Sequence, residues 1–218
     1  SSAASDVYKR QGLALLLYTM SIVCTEVVRA ILLFYLTPIW GTILGRIFLG
    51  DAITLQRIFA MVVAFIGALT IFGLGLQFPV PQNVGDWMGV GAGMLWAIAS
   101  LRINIYKEYS AIEMTLGFFF WSLIFSIIAA LIFAPSYIPS LAQTLPVLPL
   151  LIIFIVLLIL PGTYASLWGP KFLSPGVVGL LFMTELVVGS ISVALLSAEP
   201  FGIREVIGIL LITCASLI

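Results

Sequence analysis

The sharpest chemical feature of the sequence is one acid in the middle of an apolar stretch. Glu185 lies about halfway along Ser174–Leu196. If that stretch crosses a bilayer, the carboxylate sits near the midplane, where an acid costs roughly 2.5–3.5 kcal/mol on translocon scales. Acids held there face a bundle interior or a water-filled path. Such a group can carry a coupled proton or pair with a substrate ammonium. It can equally hydrogen-bond a neighbouring helix and fix packing, and both readings stay open. Thr37-Pro38 lies in another apolar stretch. Proline removes a helix hydrogen bond and frees a carbonyl of the preceding turn. That carbonyl can line a cavity, or the proline can be a simple kink. Trp96 is mid-segment, away from the interfaces where tryptophan anchors. It can stack on a substrate ring or cation, or pack against a neighbour or lipid. Tyr18, Tyr35, Trp40, Trp121 and Tyr164 are further aromatic candidates. Trp87 and Trp168, near segment ends, read as interface anchors, and Arg102 beside Asn104 reads as a snorkelling arginine.

Other chemistries find little support. The chain has no histidine and two cysteines, Cys24 and Cys214, each in an apolar stretch. No Cys/His cluster is available for zinc or iron. No nucleophile is paired with a histidine base, and intramembrane acids are not paired, which argues against an enzyme. Gly89, Gly91 and Gly93 tempt a nucleotide reading, but that needs a strand, a turn and a helix. Inside an apolar helix they permit close packing. Nine acids balance nine bases, so nothing points to a nucleic-acid partner.

These residues need a membrane to position them. Apolar residues are 62% of the 218 and charged residues 8%, against about 45–50% and about 25% in ordinary globular domains. Such a composition cannot cover a water-soluble exterior. A spanning helix needs about 20 apolar residues. The sequence offers Val27–Leu49, Gln56–Leu76, Asp86–Ile105, Ile112–Ala134, Leu145–Trp168 and Ser174–Leu196, with shorter stretches at Gly12–Cys24 and Ile203–Ile218. The expectation is an all-α integral membrane protein of about eight transmembrane segments. Turn residues at 77–83, 134–140, 171–175 and 198–200 separate several of them. No two-residue alternation suggests a β-barrel. With alternating crossings, Arg46, Arg57, Arg102, Lys107 and Lys171 share one side, and Arg29 and Arg204 the other. The positive-inside rule assigns the first side to the cytoplasm. Residues 1–11 are polar and run abruptly into an apolar stretch too short to span. They read as a non-native or disordered leader.

The sequence also repeats. Shifted by 148 positions, Leu33-Phe34 falls on Leu181-Phe182, Gly41-Thr42-Ile43 on Gly189-Ser190-Ile191, Asp51 on Glu199 and Ala60 on Gly208. Five crossings separate Thr37 from Glu185. An odd number inverts one copy relative to the other, and inverted repeats build many secondary transporters. Residues 12–76 then belong to the first repeat and 85–218 to the second. Counterparts of Asp86–Ile105 and Ile112–Ala134 would lie upstream, giving a parent of ten helices, five per half.

The motifs Phe34-Tyr-Leu-Thr-Pro-Ile-Trp-Gly41, Phe48-Leu-Gly-Asp51 and Leu55-Gln-Arg57 resemble the fourth helix of the drug/metabolite transporter superfamily, EamA type, and its exit. Gly85-Asp-Trp87 with Leu95-Trp-Ala97 resembles that family's sixth helix. Leu181-Phe-Met-Thr-Glu-Leu-Val187 and Ala198-Glu-Pro200 resemble its ninth and the exit. The order and spacing run from Gly12 to Ile218. The family commonly has Glu-Pro in the ninth helix, whereas this chain has Glu185-Leu186 and lacks that helix-weakening proline. The resemblance implies two inverted five-helix repeats in a bacterial cytoplasmic (inner) membrane, as monomer or homodimer. It implies export of amino acids or related or toxic small molecules, with no cofactor beyond a coupled proton. A second reading is a flippase for lipid or lipid-linked headgroups, which needs a lateral opening and a basic headgroup site.

Overall fold

The structure is a computed structural model and describes residues 2–72, 80–133, 140–196 and 202–217. The turn residues at 77–79, 134–139 and 198–200 lie outside the described residues, as does Glu199, the repeat partner of Asp51. Among the described residues the chain is helical, with no strand. In order come α1 (Ser2–Cys24), α2 (Val27–Phe34), α3 (Thr37–Phe48), α4 (Leu55–Ile71), α5 (Val84–Ile105) and α6 (Ala111–Phe133). The short α7 (Leu141–Thr144) precedes α8 (Leu148–Phe154), which runs through a π-helical turn at Ile155–Ile159 into α9 (Leu160–Trp168). Then come α10 (Pro175–Phe182), α11 (Thr184–Leu196) and α12 (Ile203–Leu217).

Among the described residues five stretches are long and apolar enough to cross a membrane: Val27–Phe48, Val84–Ile105, Ala111–Phe133, Leu148–Lys171 and Pro175–Ser192. Leu55–Ile71 is apolar but shorter. The helix starts are written locally. Asn83 accepts the Asp86 amide at 2.9 Å to cap α5, and Thr54 accepts the Arg57 amide at 3.2 Å to cap α4. Gly50 stops α3 in the left-handed region, at φ +71°, where only glycine is unstrained.

One expectation is corrected in part. The stretch read as a non-native or disordered leader is ordered as helix from Ser2, the start of α1. Val7 and Gln11 are buried, and Val7 packs against Ala99, Ile103 and Met114. Its charges are partnered too. Asp6 accepts from Arg10 one turn on, at 2.9 Å, and from Arg102 of α5, at 3.3 Å. The polar side chains that read as a leader are the charged end of a packed helix. Arg102 is therefore tied to Asp6 rather than snorkelling free.

The 148-residue spacing reappears in the element boundaries. Val27 and Pro175, which open α2 and α10, are 148 residues apart, and so are Phe34 and Phe182, which close them. Leu55 and Ile203, which open α4 and α12, keep the same interval.

Small residues bring the helices together. A Cβ on Gly67 would meet Gly208 O at 2.8 Å, so α4 and α12 cross backbone on backbone. One on Gly41 would meet Pro175 O at 2.4 Å, which seats α3 on α10. Along α5, Gly89 abuts Ser21 and Ala30, and Gly93 abuts Phe34 O. These glycines pack helices, as their place in an apolar segment predicts. The α8–α9 rod lies outermost, with almost all of Leu148–Tyr164 exposed.

Candidate functional site

Two membrane-length stretches are interrupted, and the interruptions meet. Val27–Phe48 breaks at Tyr35–Leu36, between α2 and α3. Pro38 has no amide to give the Phe34 carbonyl. The Thr37 hydroxyl donates to that oxygen instead, at 2.6 Å. Thr37 is thus buried and committed to repair of the backbone, with Gly93 O a distant second acceptor at 3.4 Å. Pro38 shapes the same bend and packs on Gly179 of α10.

The second interruption falls at Met183, between α10 and α11. It needs no proline. The Met183 and Leu186 amides donate to carbonyls three residues back, at Leu180 and Met183. The Thr184 hydroxyl takes Leu181 O at 2.6 Å. The loss of proline at Leu186 therefore does not make this segment continuous. Glu185 consequently stands in the first turn of α11, not midway along an unbroken helix.

Tyr35, at the first break, donates its hydroxyl to Glu185 Oε2, at the second, over 3.1 Å. Tyr35 is buried while Glu185 is exposed, so the phenol orients one carboxylate oxygen and the other stays open. Tyr18 of α1 joins the cluster through Phe34. The Tyr18 ring lies 4.6 Å from Phe34, which meets Tyr35 edge to face at 5.5 Å. Trp96 of α5 stands edge-on to Phe182, the last residue before the second break, at 5.6 Å, and to Phe118 at 6.2 Å. Its buried Nε1 has no hydrogen-bond partner among the described residues. The result is a carboxylate at the junction of two broken helices, flanked by phenols and phenylalanines, with an unspent indole donor on the adjoining wall. Such a centre can accept from a cation or hold a proton, and its rings can cover an apolar or aromatic body.

Not every aromatic candidate belongs to it. Trp121 is on α6 under the Lys9 ammonium, 4.7 Å from the ring centre, and packs with Phe125. It serves the α1–α6 seam. Tyr164 is exposed on the outward α9. Trp40 of α3 has a buried Nε1 without a hydrogen-bond partner among the described residues. Trp87 and Trp168 are exposed at helix ends, as interface anchors would be. Sequence reasoning passed over Phe34 and Phe182 as contacts, although the repeat pairs them. It also passed over Asp86, which is fully buried. Asp86 accepts from Arg29 Nη2 at 2.5 Å, Thr25 Oγ1 at 2.7 Å and the Gln82 amide at 2.9 Å. This network ties α1, α2 and the start of α5 together at one end of the bundle. An acid in the first turn of an apolar helix was its only local signal.

No protein-family model matches the chain, and no curated protein does. Twenty-one solved chains match in structure. One of them, described only as a crystal structure of a protein, superposes with a TM-score of 0.76 at 17% identity. The match covers 96% of this chain and 75% of that one. A likeness at that identity establishes a shared fold.

Proposed function

We propose that the chain is the core of a secondary active transporter that exports small metabolites by alternating access. One observation carries the reading: two helices interrupted 148 residues apart are joined at their breaks by the Tyr35–Glu185 hydrogen bond. Discontinuous helices at a repeat interface are where secondary transporters bind substrate and coupling ion. On this reading the halves are inverted, and the count is eight spans. Two inverted halves can exchange conformations, which opens one centre to either side in turn. The resemblance to EamA-type drug/metabolite transporters supports the same reading and suggests amino acids or related compounds in a bacterial inner membrane.

Glu185 takes a substrate ammonium or the coupled proton, Tyr35 orients its carboxylate, and Tyr18, Phe34, Trp96 and Phe182 wall the centre. Thr37 and Pro38 shape the bend that brings Tyr35 there. The test is efflux of labelled amino acids from cells expressing the complete gene, with and without a proton gradient. Glu185→Gln is expected to abolish gradient-driven efflux while the protein still reaches the membrane. Equal transport of every exported compound by wild type and Glu185→Gln would end the proposal.

A further inference from the structure

Away from Glu185, a groove opens sideways between α9 and α10. Ala165, Ser166 and Gly169 form one wall, Leu173 the end, and Val178 and Phe182 the other wall. Its volume is about 200 Å³, below the ~300–1,000 Å³ of small-molecule sites. The lining is apolar. Its one hydroxyl, on Ser166, is already donated to Gly162 O at 2.8 Å. Small residues hold it open, since a Cβ on Gly169 would meet nothing within 4 Å. Along α10 its lining runs from Val178 to Phe182, roughly 6 Å.

Its mouth is basic. Lys171, two residues from Gly169 and from Leu173 by chain, rests its ammonium on the Tyr109 carbonyl. Among the described residues no carboxylate lies within 4.0 Å of it. Arg57 donates Nη2 to the Ser174 hydroxyl at 3.2 Å. Its carboxylate neighbour, Asp51, stands off at 3.8 Å. Both cations are on the side that the Lys/Arg bias assigns to the cytoplasm. An apolar slot with two cations beside the end at Leu173 suits one stretch of acyl chain and a headgroup phosphate.

We propose that this groove holds one anionic phospholipid, an acyl chain between α9 and α10 and the phosphate at Lys171 and Arg57. The flippase reading also asks for a lateral opening and a basic site. Here, however, Phe182 closes the inner end against Trp96, so the groove holds a lipid and gives it no track across. The proposal rests on the bilayer placement, not on what the Glu185 centre carries.

The test is native mass spectrometry of the delipidated chain, titrated with phosphatidylglycerol or with phosphatidylcholine of identical chains. Each cation contributes roughly fivefold, so saturation at one lipid with about a twentyfold preference for phosphatidylglycerol is expected. Lys171→Gln should cut that preference about fivefold and keep chain binding, whereas Ala165→Phe should lower occupancy by both lipids. Glycerol 3-phosphate, a headgroup without chains, should not compete. Circular dichroism checks the fold of each variant. If Ala165→Phe loses helicity, Lys171→Gln decides alone. Equal uptake of the two lipids, uptake that never saturates, competition by glycerol 3-phosphate or an unchanged preference in Lys171→Gln would each overturn the site.

Discussion

The Arg29–Asp86 pair yields the most discriminating stability prediction, because its partners are buried unequally. The Asp86 side chain is 0% exposed and that of Arg29 19%. Arg29→Ala strands a carboxylate that cannot reach water and keeps only Thr25 and the Gln82 amide. Removing one partner of a buried pair costs about 3–5 kcal/mol. Asp86→Ala leaves an arginine that still donates to Val80 O at 2.7 Å and can turn its head to water. What is lost is a set of charge-assisted hydrogen bonds, about 1.5–3 kcal/mol. The double variant strands nothing. It should cost about as much as Asp86→Ala alone, which gives a coupling energy equal to the Arg29→Ala cost, about 3–5 kcal/mol. The assay is reversible unfolding in mixed detergent micelles, followed by helical circular dichroism across a denaturing-detergent titration. If Arg29→Ala proves milder than Asp86→Ala, or if the single costs add within about 0.5 kcal/mol, the buried-charge reasoning is wrong.

Further predictions use the same titration. Gly93→Ala places a Cβ 2.5 Å from Phe34 O, a backbone atom that cannot yield, and should destabilise by about 1–3 kcal/mol. Gly162→Ala meets nothing within 4 Å and should stabilise by up to about 1 kcal/mol through helix propensity. Gly50→Ala has room for its methyl but must hold φ +71°, a strain of about 1–2 kcal/mol. Tyr35→Phe keeps its ring packing and removes the bond to Glu185. We expect a loss near 1 kcal/mol, unchanged helicity, and slowed efflux in the transport assay.

Much of the fold was legible because apolar length and turn residues act locally. The long apolar helices fall on the stretches those signals mark, two of them broken midway, and the 148-residue spacing returns in the helix bounds. Three features were hidden for physical reasons. The start of α1 looked like a leader because two of its charges find partners more than ninety positions away, Asp6 at Arg102 and Lys9 at the Trp121 ring. The break at Met183 carries no proline, since hydroxyl and three-residue-back bonds make it. The Arg29–Asp86 pair joins residues in separate segments, which no window along the sequence connects. Of the site, Glu185, Tyr35, Tyr18 and Trp96 were legible by type. Trp121 and Tyr164 were not separable from them, because an aromatic in an apolar helix reads alike whichever way it faces.

The crossing of α4 with α12 has a consequence in time. Gly67 and Gly208 touch through their backbones, yet a ribosome adding about 5–20 residues per second needs roughly ten to thirty seconds to pass from one to the other. For that interval the seam of Ala60, Ala64 and Ala68 along α4 has no mate. A short helix must therefore wait in the membrane, or beside the insertion machinery, until Gly208 and its neighbours arrive. The α4–α12 seam is thus among the late events of assembly, however early α4 itself is made.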